Sequence, residues 1–206
     1  NEQKGDAFNL LGIIDFHLKG DLDSALQNFN NCLVEYNAAN NTQRVAAVEI
    51  NIGNIYNIRR DFETVEKHWN KSLDISSATG NLYLQGKVLL NLGIFIFNQL
   101  NFDQAIQNYR RAKLIFNSLG DKTDSGLSES NLGELFSFID EFQNALDAFE
   151  EARMIFTEAK NLLEESEALF FLGKLYNKIG DYRKLEDVIS EMEKILAADS
   201  SVERLH

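Results

Sequence analysis

The chain has 206 residues, of which 44% are hydrophobic and none is proline, so it can bury a sizeable core and form long uninterrupted helices. Its formal net charge is −12, and most of that charge lies in residues 121–206, with 9 Lys and Arg against 20 Asp and Glu. Because acidic surfaces repel phosphate groups, this composition disfavours nucleic acid and anionic membrane surfaces as partners.

Cysteine usage and hydropathy narrow the class further. Cys32 is the single cysteine, so neither an intrachain disulfide nor a cysteine zinc cluster can form, which favours the cytoplasm. The sequence has no apolar run of about 18 residues and no signal-peptide core. Its first residue is Asn1 and not methionine, which is typical of a segment excised from a longer chain.

Five glycines recur at intervals of 41, 40, 40 and 40 residues, each after Leu or Ile in a stretch that otherwise predicts helix. A glycine inside a helix costs about 1 kcal/mol relative to alanine. Its recurrence predicts that another segment approaches the backbone closely once in every repeat. The five are Gly12, Gly53, Gly93, Gly133 and Gly173.

In chain order, the pattern predicts five helix–turn–helix units in one array, followed by a tail at 199–206. In each unit a turn, usually with a polar capping residue, follows the glycine. The second helix then presents a small, a large and a small side chain on one face, which in the fourth unit are Ala145, Phe149 and Ala152. The units span about 2–40, 41–80, 81–120, 121–160 and 161–198.

The first and fifth units depart from this pattern. Gly12 and Asp21 are nine residues apart where the other units have eight, which predicts a longer turn, with a π-bulge in the helix as the alternative. In the fifth unit Leu185, Ile189 and Met192 replace the small–large–small face, as expected of a terminal or capping unit.

These features resemble the tetratricopeptide repeat: the Leu-Gly pairs, an aromatic residue three positions later, Asp followed by Phe or Tyr at the turn, and the Ala-aromatic-Ala face. The units have 40 residues instead of 34 and no proline, similar to Pins-type spindle-orientation adaptors and bacterial signalling arrays. The resemblance implies an all-α fold, a right-handed α-solenoid of about five helical hairpins and ten helices, whose first helices line a concave groove that binds peptides. The aromatic residues concerned are Tyr56, Phe136 and Tyr176.

Offsets of −3, +1, +4 and +5 from each glycine predict the residues that line this groove. Those offsets include Ser137, Phe170, Lys174 and Lys178. From the central repeats we single out as candidate binding residues Asn51, Asn54, Ile58, Asn91, Ile94, Phe97, Asn98, Asn131, Glu134 and Phe138.

Three of these candidates, Asn51, Asn91 and Asn131, stand two residues before a glycine and form a predicted ladder. An amide both donates and accepts hydrogen bonds, as a peptide backbone requires. The alternative is that each amide bonds a neighbouring helix. A neutral hydrogen bond contributes about 1 kcal/mol and micromolar binding needs about 8 kcal/mol, so apolar anchors must contribute as well. We therefore expect a protein or peptide partner that is neutral or basic with apolar anchors, although the apolar candidates also suit a core between repeats.

The sequence indicates no catalytic residues, no metal site and no cofactor. His17, His68 and His206 lack a metal-ligand spacing, and Cys32 occupies a small-residue position on a helix face. We predict a non-enzymatic protein–protein interaction scaffold that binds a partner segment in its groove. The alternative is a sensory or regulatory segment of a larger bacterial signalling protein, such as a kinase, cyclase or transcription regulator. The uncovered face of the first helix also predicts end-to-end self-association.

Overall fold

The computed structural model describes residues 1–203, with side chains described through residue 197. The described residues form ten α-helices and one π-helical turn, Asp15–Lys19. The last helix continues to Glu203, so His206 and the end of the predicted 199–206 tail lie outside the described residues. The helices are α1 (Glu2–Ile14), α2 (Leu22–Ala38), α3 (Thr42–Ile58), α4 (Phe62–Ala78), α5 (Leu82–Asn98), α6 (Phe102–Leu119), α7 (Lys122–Phe138), α8 (Phe142–Ala159), α9 (Leu162–Ile179) and α10 (Tyr182–Glu203).

Each turn between helices contains one residue with a left-handed backbone, at every twentieth position from 20 to 180. Four of these residues are glycines and five are not, among them Leu100 with a φ of 63°. The next residue is the N-cap of the following helix. Asp21, for example, accepts a hydrogen bond from the Ser24 backbone N–H at 3.0 Å. Glu141 makes no such bond, so the predicted caps are confirmed in most repeats and absent in this one.

The additional residue of the first repeat lies inside a helix. α1 continues into the π-helical turn Asp15–Lys19, so the longer turn that the sequence favoured is wrong and the bulge is correct. Asp15 is 4% exposed and accepts hydrogen bonds from Lys19 Nζ at 2.7 Å and Asn28 Nδ2 at 2.8 Å. Because one helical turn is wider, Gly12 still lies against the Phe29 ring.

The repeat glycines lie where an aromatic ring of the second helix rests on the backbone. A methyl group added at Gly133 would lie 2.6 Å from Phe149 Cδ1, too close for a real Cβ atom. Gly173 is the exception, since its nearest side-chain atom, Leu185 Cδ1, is 3.5 Å from the same position. The predicted close approach is confirmed in the other repeats, where the rings are Phe29 at Gly12, Trp69 at Gly53 and Tyr109 at Gly93.

Two further glycine–aromatic contacts follow the same geometry and were not predicted. Gly5 lies against the Tyr36 ring, and Gly126 lies against the Phe156 ring. Each glycine is seven residues before a repeat glycine, two helical turns away on the same face. In the first and fourth hairpins the paired helices therefore approach closely at two points.

The chain divides into two compact units, and the boundary lies inside α5, between residues 89 and 90. The core of the first unit contains Phe29, Cys32, Val48, Ile52 and Ile55, each 1% exposed or less. A core cluster of the second unit contains Ala152, Phe156 and Ala168. The helical hairpins confirm the predicted all-α repeat fold, whereas one continuous solenoid over 1–206 stays a prediction.

Candidate functional site

A pocket of about 300 Å³ lies in the second unit beside the first helices of the repeats. We call it the aromatic pocket, because four of its eight lining side chains are phenylalanines. α5 and α8 each contribute one side chain to the lining, and α7 and α9 each contribute three. The lining residues are Phe97, Glu134, Ser137, Phe138, Phe149, Phe171, Lys174 and Lys178.

The repeat register explains why these side chains meet. Glu134 and Lys174 each directly follow a repeat glycine, in α7 and α9 respectively, and therefore occupy equivalent positions in adjacent hairpins. Phe138 and Lys178 stand one turn further along the same two helices, so they extend the same lining. The pocket is thus built by a helix face that the 40-residue spacing repeats.

Aromatic contacts form the apolar part of the pocket. The rings of Phe97 and Phe138 meet edge to face, with centroids 5.4 Å apart, and Phe102 supports Phe138 at 5.7 Å. Phe149 and Phe171 stack in parallel at 5.3 Å. Phe138 nevertheless leaves 58% of its surface exposed, a large apolar side chain held in contact with water.

The two lysines of the pocket have different surroundings. Lys178 Nζ donates to Asp140 Oδ1 at 2.6 Å and to the Ser137 carbonyl oxygen at 2.9 Å. Lys174 Nζ instead lies 5.4 Å from the ring centroids of both Phe170 and Phe171, and it makes no ion pair with any described residue. Lys174 therefore presents an ammonium group that no carboxylate of the described side chains neutralises directly.

Glu134 is the one acidic side chain of the pocket. Partial burial raises the pKa of its carboxyl group, the ammonium of Lys174 opposes that rise, and the Glu167 carboxylate adds to it. No described residue forms an ion pair with Glu134. Glu134 and Lys174 therefore influence each other electrostatically without forming an ion pair, while Lys178 is paired with Asp140.

The structure brings together three of the ten candidate binding residues, Phe97, Glu134 and Phe138, in the aromatic pocket. On α5, Ile94 is 36% exposed and Asn98 is also exposed, and neither lines this pocket. The remaining candidates lie on α3 in the first unit (Asn51, Asn54 and Ile58) or, half-buried, on α5 and α7 (Asn91 and Asn131).

One rung of the predicted asparagine ladder has a bond within its own helix. Asn131 Nδ2 donates to the Leu127 carbonyl oxygen at 2.7 Å, one turn earlier in α7. At the equivalent position of the fifth repeat the chain has Phe171, which lines the aromatic pocket. The ladder position is therefore occupied by an amide in three repeats and by an aromatic ring in the fifth.

Sequence reasoning missed two buried carboxylates, each four residues before a repeat glycine. Glu49 is fully buried and meets His68 Nδ1 at 2.5 Å and Lys71 Nζ at 2.6 Å. Burial raises the pKa of a carboxyl group, but here these two partners outweigh burial and leave the pKa of Glu49 lowered. The sequence signal that could have revealed Glu49 is a charged residue at a helix position that is otherwise apolar.

The second buried carboxylate, Glu129, is balanced differently. It shares the Lys113 ammonium, 2.7 Å away, with Glu151, which lies 2.7 Å from the same nitrogen. Burial raises the pKa of Glu129, the Lys113 ammonium opposes that rise, and the Glu151 carboxylate adds to it. Glu129 and Glu151 also line a cleft of about 520 Å³ between α6 and α8, together with Asp103, Gln107, Arg110, Glu141, Asn144 and Asp147.

Cys32 has the environment of a core thiol. Cys32 is fully buried, and burial raises the pKa of its thiol to about 11, so it remains protonated as expected of a core residue. Among the described residues no group of His, Cys, Asp and Glu could hold a metal ion. None of the described helices is long and apolar enough to cross a membrane.

Repeated helical hairpins packed through glycine–aromatic contacts define an all-α solenoid protein. Residues 84–158 match the model of the tetratricopeptide repeat family. Residues 84–158 therefore carry tetratricopeptide repeats, which supports the predicted resemblance over that part of the chain. No curated protein matches its sequence.

Solved structures with the same fold extend the comparison to nearly the whole chain. Aspartyl phosphate phosphatase F from Bacillus subtilis superposes with a TM-score of 0.83 at 14% identity, covering 97% of this chain and 52% of that one. A Rap protein complexed with competence and sporulation factor gives 0.78 at 16% identity, covering 94% and 54%. A signal-transduction ATPase with a tetratricopeptide repeat sensor from Pyrococcus horikoshii gives 0.83 at 14% identity, covering 97% and 30%.

Proposed function

We propose that this chain is a non-enzymatic scaffold that binds a segment of another protein along its first helices, with the aromatic pocket taking an apolar side chain of that segment. The observation that carries the proposal is the aromatic pocket itself, where the exposed ring of Phe138, two half-buried rings and the buried ring of Phe149 surround about 300 Å³. Exposed aromatic side chains in a concave site are typical anchors of protein recognition.

The pocket can supply only part of the binding free energy of a micromolar complex. Burying one large apolar side chain stabilises a complex by about 1.5–3 kcal/mol, and a micromolar complex requires about 8 kcal/mol. Polar contacts along the groove, including the asparagine candidates Asn51, Asn54, Asn91, Asn98 and Asn131, would supply part of the remainder. Ile58 and Ile94 are the further apolar anchors of this proposal, because both are at least 36% exposed.

The partner is a protein or peptide that is neutral or basic overall. This expectation rests on the net charge of −12, which would repel an acidic partner at long range. The solved Rap protein, which shares the fold, is complexed with competence and sporulation factor.

The lone buried thiol of Cys32 is consistent with a reducing compartment such as the cytoplasm.

A peptide selection tests the pocket. Peptides are selected from a random display library on the immobilised chain, and the Kd of the best binder is compared between wild type, Phe138→Ala and Phe62→Ala. We expect Phe138→Ala to weaken binding about tenfold or more, equivalent to about 1.4 kcal/mol. Phe62, 47% exposed in the first unit and outside the pocket, is the matched control and should change Kd less than about twofold.

Equal affinities for wild type and a folded Phe138→Ala variant would reject the pocket as the anchor site. Circular dichroism and thermal unfolding of each variant separate lost binding from lost folding. A parallel pair, Asn131→Ala and Asn131→Asp, asks whether that amide contributes to the same Kd.

The alternative function, a sensory or regulatory segment of a larger signalling protein, is favoured by one comparison. The Pyrococcus horikoshii structure contains a tetratricopeptide repeat sensor, and this chain matches 30% of that protein's length. Reading the complete gene decides between them, because a kinase, cyclase, ATPase or DNA-binding sequence in the same frame would favour the sensory role.

End-to-end self-association is kept as a further proposal. α1 leaves Leu10 58% exposed and Leu11 46% exposed, and Leu18 in the π-helical turn is 80% exposed. A second copy that covered these side chains would bury apolar surface. Light scattering over a wide concentration range tests this, since a constant monomer mass would exclude it.

A further inference from the structure

The aromatic pocket contains two opposite charges at equivalent positions of adjacent repeats. Glu134 and Lys174 each follow a repeat glycine, and both line the pocket. Neither makes an ion pair with a described residue, although the Lys174 ammonium partly opposes the rise in the pKa of Glu134 that burial causes. Their charges therefore remain available to a molecule placed between them.

The lining has two lysines and one glutamate, and its charge is balanced only when Asp140, outside the lining, is counted with Lys178. Lys178 is paired with Asp140 at the edge of the pocket, 2.6 Å from Nζ to Oδ1, and the Lys178 ammonium also lies 5.0 Å from the Phe142 ring centroid. The remaining charges, Glu134 and Lys174, cancel. A neutral pocket in a chain of net charge −12 is a local departure from the acidity of the surrounding surface.

A charged group entering this pocket would meet one attractive and one repulsive partner. A carboxylate near Lys174 is also near Glu134, and an ammonium near Glu134 is also near Lys174. Either group would also lose water against phenyl rings, and this loss is costly unless a counter-charge compensates for it. The raised pKa of Glu134 indicates that the pocket already disfavours a charge.

A peptide amide avoids this conflict because it is neutral and has a donor and an acceptor. Its N–H can donate to the Glu134 carboxylate, and its carbonyl oxygen can accept from the Lys174 ammonium. The four phenylalanines would then surround the side chain next to that amide, and 300 Å³ accommodates one large apolar side chain with its main-chain amides.

We infer that the aromatic pocket selects an uncharged apolar residue inside a peptide, holding its side chain among the phenylalanines and its main-chain amide between Glu134 and Lys174. The inference rests on the proposed function and narrows it: the partner's anchor at this site is neutral, with no acidic or basic group beside it. Glu134 and Lys174 act as specificity-determining residues.

Three small probes that share the phenylalanine side chain and one main-chain amide, and that differ in the charge of their ends, test this inference. N-acetyl-phenylalaninamide is neutral, N-acetyl-phenylalanine carries a carboxylate, and phenylalaninamide carries an ammonium. Each is titrated into the full chain while NMR follows the ring signals of Phe97, Phe138 and Phe171. We expect the neutral probe to bind about three- to tenfold more tightly than either charged probe.

Matched variants separate specificity from structure. Glu134→Gln leaves the pocket with a net positive charge and should shift the preference toward the carboxylate probe by about two- to fivefold. Lys174→Gln should shift it toward the ammonium probe by a similar factor. A residue that only maintained the fold would weaken all three probes equally, so an equal effect on all probes overturns the assigned roles.

The outcomes also distinguish this inference from the proposed function. Tightest binding of a charged probe at the same ring signals overturns the neutral-anchor inference and leaves the apolar pocket in place. Unchanged ring signals with all three probes, at concentrations up to their solubility limits, would overturn both, because the pocket would then take no apolar anchor.

Discussion

The fourth and fifth hairpins have the same glycine and different packing. In α7 and α8 the Phe149 ring covers Gly133, and Phe149 is 1% exposed. In α9 and α10 the position equivalent to Phe149 is Ile189, which is 47% exposed, and Gly173 has only ordinary contacts with Leu185 and Val188.

The difference shows that the partner residue determines how tightly the glycine backbone is covered. A glycine permits close contact, but the free energy comes from the ring that fills the space above it. Where the second helix has an aliphatic side chain at this position, the glycine keeps its conformational entropy cost, and no aromatic packing offsets that cost. The fifth repeat is therefore expected to hold its two helices less firmly than the fourth.

The largest expected effect on stability is at the pair of equivalent side chains that distinguishes the two hairpins. Phe149→Ala should destabilise the chain by about 3–5 kcal/mol, because it removes a fully buried ring. Ile189→Ala, at the equivalent position, should cost less than about 1 kcal/mol, since half of its surface already faces solvent. Urea unfolding measures both, and equal losses would contradict the contrast between the hairpins.

Substitution of the two glycines should change stability less, and the two substitutions should differ in sign. Gly133→Ala should destabilise by about 1–2 kcal/mol, because the clash with Phe149 outweighs the helix preference of alanine. Gly173→Ala should be neutral or should stabilise by up to about 1 kcal/mol, because its new Cβ atom meets neighbours at 3.5 Å and beyond. Destabilisation of both variants by the same amount would show that the two glycines have one common role.

The smallest effect concerns the buried charge of the fourth hairpin, where Glu129 stands at the position of the fully buried Leu169 in the fifth. Burial raises the pKa of Glu129, so its contribution favours folding at low pH and is lost as pH rises through that raised pKa. Lys113 of α6 and Glu151 of α8 face this carboxylate.

Glu129→Gln should therefore gain stability relative to wild type as pH rises from the acidic range toward neutrality. Unfolding free energies measured at several pH values test the sign. A difference between the two proteins that does not vary with pH would contradict the assigned cause. Glu141→Gln, at a second acidic residue of the same cleft immediately before α8, is the control.

The fold was predictable because its determinants are local and periodic. The spaced glycines, the capping residues and the small–large–small faces each act within one hairpin, and together they indicate ten helices. Six of the eight side chains in the aromatic pocket also stand at predicted groove offsets. Phe149 was assigned to the core alone, and Phe171 stands at the position that carries asparagine in the three preceding repeats.

The remaining features depend on contacts between helices that spacing does not encode. Glu49 and Glu129 are charged residues on a helix, which normally indicates a solvent-facing position, and only the packed structure supplies their lysine partners. Whether the additional residue of the first repeat widens the helix or the turn depends on small energy differences that a spacing of nine instead of eight cannot resolve.

The π-helical turn Asp15–Lys19 shows how a repeat array tolerates a change in length. The inserted residue is absorbed within one helical turn, so the residues before and after it keep the phase that their neighbours require. Insertions of this kind leave the connecting turns unchanged, and hairpins of unequal length can then stack in one chain. Such an array can vary by single residues within a repeat while its helix-to-helix register is conserved.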